Sequence, residues 1–273
     1  MSKRISAILA VAAIVGLVVV VFVAYTFLKT PEEASQPIAA LPIATPAPAT
    51  LTPAPTQAPA AILTTEAAEA DSSATPASEP AAGPTPGPGP AATGPVIFEI
   101  VQQATEARFV IQEVLRGADN TVVGVTNQAA GQISIDAANP ANSQIGVIQV
   151  NARTLTTDNN FRNRAIKNQI LRTNDFEFIT FAPTEIRGMP ASVLPGDTVA
   201  FQVAGNLTIT DVTRPVVFDV TVTAVSTEQI KGLAETRILW RDFGLFIPDS
   251  PSVDTVADDV TLQLEFTANQ VDG

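Results

Sequence analysis

Neither cysteine nor histidine occurs anywhere in the chain. Zinc sites draw mainly on those two side chains, so the usual structural and catalytic zinc sets are excluded. Haem held through His or Cys and iron–sulfur clusters held by Cys are excluded as well. So are a Ser–His–Asp triad, a Cys–His pair and disulfides. The lack of cysteine fits any redox compartment and assigns none. Positive charge is scarce: 15 Lys and Arg stand against 27 Asp and Glu, a net charge of −12. A nucleic-acid binder needs a basic surface to displace phosphate counterions, so no nucleic-acid partner is expected. Aromatic side chains are few, with one Trp and one Tyr in 273 residues. A pair of acids for glycoside hydrolysis would find few rings to build a sugar cleft. No enzyme activity is expected, and no cofactor.

What is present is distributed unevenly, and the chain divides into three parts. Residues 1–30 hold a run of 24 uncharged residues, Ile5 to Leu28. As a helix it would rise ~36 Å, enough to cross a hydrocarbon core of ~30 Å with some tilt. Lys3 and Arg4 precede it, while Lys29, Glu32 and Glu33 follow. The positive-inside rule then puts the N-terminus in the cytoplasm and the rest of the chain outside. A cleaved signal peptide would have a shorter apolar core and small residues at its end. The large Tyr25, Phe27 and Leu28 close this run instead, which favours an uncleaved single-pass signal anchor in the cell membrane.

Residues 31–95 contain 15 of the 22 prolines and no Lys or Arg. Proline removes an amide donor and restricts the residue before it, so neither helix nor sheet propagates. The composition predicts a disordered Pro/Ala/Thr-rich linker, with an extended limit of roughly 200 Å.

Residues 96–273 carry a net charge of −9 and are long enough to bury a core without disulfides. Apolar residues recur at every second position, as in strands with one buried face. Val199, Phe201, Val203, Gly205, Leu207 and Ile209 form the clearest set. Val216 to Val222 and Val260 to Phe266 repeat it. Eight or nine strands are predicted, separated by turns such as Gly117-Ala118-Asp119-Asn120. Asn159–Leu171 has helical spacing instead, with Phe161, Ala165 and Ile170 about a turn apart and Thr157 or Asp158 as N-cap. Many antiparallel strands with one mid-chain helix predict an all-β barrel or sandwich. Its inward faces either line a tunnel or fill a dry core.

Three stretches resemble the YceI-like family of lipocalin-like, polyisoprenoid-binding barrels. They are Thr154 to Arg162 leading through the helix to Ile179-Thr180-Phe181, Val203 to Val216 with its Gly205-Asn206-Leu207-Thr208-Ile209 and Thr213-Arg214-Pro215-Val216, and Asp242-Phe243-Gly244-Leu245 before the final strand. The resemblance covers residues 96–273. It implies an extended antiparallel β-barrel around an apolar tunnel that holds an amphipathic or isoprenoid lipid. The tunnel-lining candidates are Phe109, Ile111, Phe181, Phe201, Val203, Leu207, Phe218, Val220 and Leu264. Arg162, Arg164 and Lys167 are candidates for a lipid head group. At polar positions the chain departs from the family pattern. Arg162-Asn163-Arg164-Ala165 stands where many members have Arg-Asp-x-His, Asn206 replaces an Asp, and Trp240 replaces an Arg. The acidic loop Asp249, Asp254, Asp258, Asp259 lacks calcium-loop spacing, so no metal site is expected.

The sequence thus points to a membrane-anchored, extracytoplasmic lipid-binding protein. The alternative is a surface-displayed interaction module with a filled barrel core and no lipid.

Overall fold

A computed structural model describes residues 25, 30–35, 38–43 and 94–271. Among the described residues no helix is long and apolar enough to cross a membrane. The expected anchor over residues 5–28 lies, but for Tyr25, outside them, as does the linker from residue 44 to residue 93.

Alternating apolar and polar residues build twelve strands. They are β1 (Val96–Ile100), β2 (Glu106–Leu115), β3 (Ala118–Thr126), β4 (Ala129–Ala130), β5 (Gln132–Ile135), β6 (Gln144–Ile145), β7 (Ile148–Asn151), β8 (Phe178–Arg187), β9 (Thr198–Ile209), β10 (Val212–Ala224), β11 (Gln229–Leu239) and β12 (Val253–Val271). All pairings are antiparallel, in the order β4-β7-β8-β9-β10-β11-β12-β1-β5-β6, with β2 on β12 and β3 on β2. The sheet curls into a half-barrel. β12 makes the curl possible by serving two neighbours on one edge. Its residues from Val253 to Glu265 pair with β2, and those from Ala268 to Val271 pair with β1. Two register shifts, between Val253 and Thr255 and between Val256 and Val260, bend it there.

The alternation sorts the faces. In β9, Val203, Gly205, Leu207 and Ile209 are buried, while Gln202 and Asn206 between them face solvent. Their neighbours across the sheet, Phe218 on Val203 and Val216 on Gly205, carry the same face onward.

Several sequence expectations are corrected. Among the described residues there are twelve strands where eight or nine were expected, and they form a half-barrel where a barrel was expected. The segment Ala118-Asp119-Asn120 is not turn but the start of β3, paired with Leu115, Val114 and Glu113. The turn is only Arg116-Gly117, with φ of 53° and 78°, the two-residue hairpin geometry that needs left-handed residues. The helix is also shorter and differently capped. Helix α1 spans Asn160–Ala165 and continues as a wider π turn over Ile166–Ile170. Its N-cap is Asn159, whose side-chain oxygen accepts from the Phe161 and Arg162 amides. Thr157 instead donates its hydroxyl and amide to Asn163.

The first part of the segment assigned by composition to the linker lies against the half-barrel. Residues 30–35 and 38–43 form a strap that is neither helix nor strand. Arg153, just after β7, is its main attachment. Its guanidinium pairs with Glu32 at 3.1 Å and Glu177 at 3.1 Å, and donates to the carbonyl of Glu33. The Glu32 amide donates to Asn174, and the Ser35 amide and hydroxyl both donate to Glu177. Further along, Gln102 donates to the Ile38 carbonyl, the Ile43 amide donates to Gln132, and the Ile38 side chain is buried. Proline-rich composition forbids helix and sheet, but it does not forbid an extended segment held by side chains of the domain.

Glu177 makes the strap acid-sensitive. Its burial favours the neutral acid. The hydrogen bonds from Ser35 and Asn151 and the charge of Arg153 together outweigh that, holding the carboxyl below its ordinary value. A lowered folded-state pKa adds stability that is complete above the ordinary carboxylate range and is lost as pH falls through the lowered one. Amide-exchange protection of residues 32–35 is therefore expected to fall in acid. Glu177→Gln should remove that pH dependence, and its persistence in the variant would contradict this assignment.

Gly205 is a position of close approach. A Cβ there would lie 2.6 Å from the carbonyl oxygen of Ala182 and 2.6 Å from the Phe181 ring. The ring has room to move, but the β8 backbone has none. Gly205→Val should cost on the order of 3 kcal/mol by overpacking, read as a lowered melting temperature. An unchanged melt would contradict the placement.

Candidate functional site

The concave face of the sheet is not filled by its own side chains. It encloses a cavity of about 1320 Å³, larger than the roughly 300–1,000 Å³ of sites for small ligands. The walls come from alternate residues of β2, β8, β9, β10, β11 and β12. Phe181 and Phe218 meet edge to face with centroids 4.8 Å apart, a favoured ring geometry. Large side chains there pack on one another along the wall and leave the axis open. Of the two readings that the alternating pattern allowed, this volume supports the tunnel.

All nine residues named from the sequence as tunnel lining stand on this wall. Val203, at 2% exposure, lies deepest among them. The cavity runs from α1 at one end to the loop between β8 and β9 at the other. Phe161 and Arg164 border the first end, and Met189 and Leu194 the second. The loop after β11 adds Leu245 and Ile247 to the α1 end, and the first residue of β12, Val253, joins them.

The three basic candidates separate. Arg162 lines the cavity, but its charge is already used. One guanidinium nitrogen pairs with Glu113 at 2.9 Å and another with Asp158. Glu113, with a side chain only 6% exposed, also accepts from Asn120. Arg162 therefore ties α1 to β2 and is a structural cation. Arg164 borders the cavity, is exposed and makes no ion pair among the described residues. Lys167 is half-buried and does not reach the cavity wall. Burial alone lowers its pKa, as expected for an ammonium removed from water.

Phe161, grouped by helical spacing with Ala165 and Ile170, is 83% exposed. The helix and its π turn border the cavity through Ala165, Ile166 and Ile170 as well as Phe161. Trp240 closes another part of that end. Its ring nitrogen donates to the Ala257 carbonyl at 3.0 Å, and the Arg241 guanidinium lies 4.1 Å from the ring centroid. The wall gains an apolar ring there and no charge.

Sequence reasoning missed Glu113 although the signal was there. In β2, Phe109, Ile111, Glu113 and Leu115 share one face, so the period of two already turns this acid inward. It also missed the rim residues Met189, Leu194 and Ile247. These belong to loops, where no period marks the inward side.

A family model, the YceI-like domain, matches residues 98–268. Among solved structures, BcnA from Burkholderia cenocepacia superposes with a TM-score of 0.50 at 16% identity, covering 62% of this chain and 99% of its own. A polyisoprenoid binding domain from Saccharophagus degradans, implicated in plant cell wall breakdown, does so with a TM-score of 0.50 at 12% identity, covering 64% of this chain and 99% of its own. At such identities the likeness concerns the fold. Among curated proteins no sequence relative matches.

Proposed function

Because the chain belongs to the YceI-like family, we propose that it binds an amphipathic or polyisoprenoid lipid in the interior of its half-barrel, without catalysis, as a membrane-anchored protein whose folded domain lies outside the cytoplasm. The observation that carries this reading is the cavity of about 1320 Å³. Its walls are mostly aliphatic and aromatic, with Arg162 and Arg164 among the polar side chains at the α1 end. A long apolar chain gains from every wall residue it covers, at about 25 cal/mol per Å² removed from water. An apolar interior of this size, left empty, would forfeit those contacts. The likeness to a domain described as polyisoprenoid binding supports the same ligand class here.

The non-catalytic part of the reading rests on the wall chemistry. Its one buried carboxylate among the described residues, Glu113, is committed to Arg162 and Asn120. The anchored, extracytoplasmic part rests on the apolar run Ile5–Leu28 with Lys3 and Arg4 before it. Mass spectrometry of lipids extracted from full-length protein purified from its host tests the ligand. A stoichiometric isoprenoid or other long-chain lipid is expected. A preparation free of lipid that also fails to take up an isoprenoid alcohol from micelles would overturn the reading. Protease added to intact cells tests the topology: the domain is expected to be accessible from outside, and protection until lysis would reverse the orientation.

A further inference from the structure

The strap changes what a membrane anchor would do to this domain. Residues 31–95, read by composition alone, make a spacer that lets the domain stand far from the bilayer. The structure instead attaches residues 32–35 directly to the half-barrel, through Arg153, Asn174 and Glu177. Glu32 follows the last residue of the apolar run, Leu28, by four positions. At ~3.5 Å per residue, those positions can reach at most about 14 Å. Ile43 and the residues from 94 onward both belong to the half-barrel unit, so the attachment at residues 32–35 comes before residues 44–93 in the chain.

The attachment point also selects an end. Arg153, Asn174 and Glu177 all belong to the connection between β7 and β8 or border it. The same connection carries α1, so the strap enters at the end of the half-barrel where Phe161 borders the cavity. Phe161 and, on the loop after β11, Phe246 are both strongly exposed there. Arg164 adds a cation without an ion-pair partner among the described residues. Exposed rings with a nearby arginine suit the interface of a bilayer, where rings settle at head-group level and cations meet phosphates. The opposite end, with Leu194 in the β8–β9 loop, lies a full strand length of β8 away.

Resting on the anchored reading above, we propose that residues 32–35, with Ile38 and Ile43, clamp the domain to the membrane surface with the α1 end of its cavity facing the outer leaflet, so that the bilayer itself is the partner from which ligand enters and to which it returns. A carrier that diffuses between distant membranes is then excluded, and transfer is local.

The absence of cysteine makes the test clean. Full-length chain is reconstituted into vesicles of phosphatidylcholine and phosphatidylglycerol and carries a single introduced cysteine, Phe161→Cys or Leu194→Cys, labelled with an environment-sensitive dye. Flotation first reads whether the chain stays with the vesicles. Lipids spin-labelled at the head group then quench the dye. Quenching at position 161 several-fold stronger than at 194 is expected. The paired variant Glu32→Lys with Ile38→Asp alters only the strap, and near-ultraviolet circular dichroism reports whether the domain stays folded. In that variant the contrast between the two positions should disappear while flotation persists. Equal quenching at both positions in the unaltered strap, stronger quenching at 194, or a contrast that survives the strap variant would each overturn the clamp alone. A chain that does not float overturns the anchored reading, and the clamp with it.

Discussion

Val203→Glu is expected to yield a protein that still folds but no longer retains lipid. Val203 is 2% exposed and stands on the cavity wall between Phe201 and Leu207 in the inward register of β9. A carboxylate buried without a partner costs several kcal/mol in a closed interior. In a filled core that cost has no relief, and the domain unfolds. Here Val203 itself is buried, but the longer glutamate side chain can extend past its neighbours on the wall toward the open volume, where water can meet the charge once the lipid has left. The cost then falls largely on the lipid, which cannot share the axis with a hydrated carboxylate. Melting of the variant should drop by several degrees, and its extracted lipid should fall to background. Phe201→Leu is a useful control, because it trims the wall without charging it and should leave lipid retention near that of the parent. A Val203→Glu variant that keeps its lipid would remove the cavity from the binding account.

The walls of this cavity were legible in the sequence because strands write their faces at a fixed period. Val199 to Ile209 and Val216 to Val222 each show which side chains point inward before any pairing is known. The order of pairing is less visible. β12 runs through 19 residues and changes partner from β2 to β1. That depends on register shifts near Val253 and Val256, where no residue type announces them. β3 was hidden for a different reason: Asp119 and Asn120 are turn-forming residues by preference, yet pairing with Val114 and Glu113 draws them into the hairpin. Tertiary pairing outweighs local preference in strands.

The helix shows the same limit. Its start is set by whichever residue can cap it, and Asn159, Asp158 and Thr157 all qualify by type. Geometry decides among them, since the Thr157 hydroxyl is engaged by Asn163 and Asp158 by Arg162. The strap was the least legible element. Composition describes what residues 31–43 do alone, whereas their structure is imposed by Arg153, Glu177, Gln102 and Gln132 from elsewhere in the chain.

The second large effect concerns Glu113 and Arg162. Removing one partner of a buried ion pair is expected to cost more than removing both. Glu113→Leu leaves the Arg162 guanidinium against an apolar wall, with only the exposed Asp158 still beside it. Breaking such a pair costs about 3–5 kcal/mol when the remaining charge is fully buried. Arg162 retains some access to water, with a side chain 20% exposed, so a loss nearer ~2 kcal/mol is expected after solvent screening. Arg162→Leu leaves Glu113, which is the more buried of the two, with only Asn120 as a donor, and should be the costlier single change. The double variant removes both charges and returns apolar surface to a site lined by Ile111 and Leu115 on the same face. Its stability should therefore lie above that of either single variant, a coupling that a double-mutant cycle in denaturant measures directly. Purely additive losses would mean that the pair is no more than a surface contact. The cycle has a functional readout as well. Arg162 holds α1 against β2 at the cavity end, so each single variant should also speed the exchange of bound lipid. The double variant, which restores packing but not the tie, should exchange quickly while remaining stable. Slow exchange in the double variant would show that packing alone keeps α1 in place.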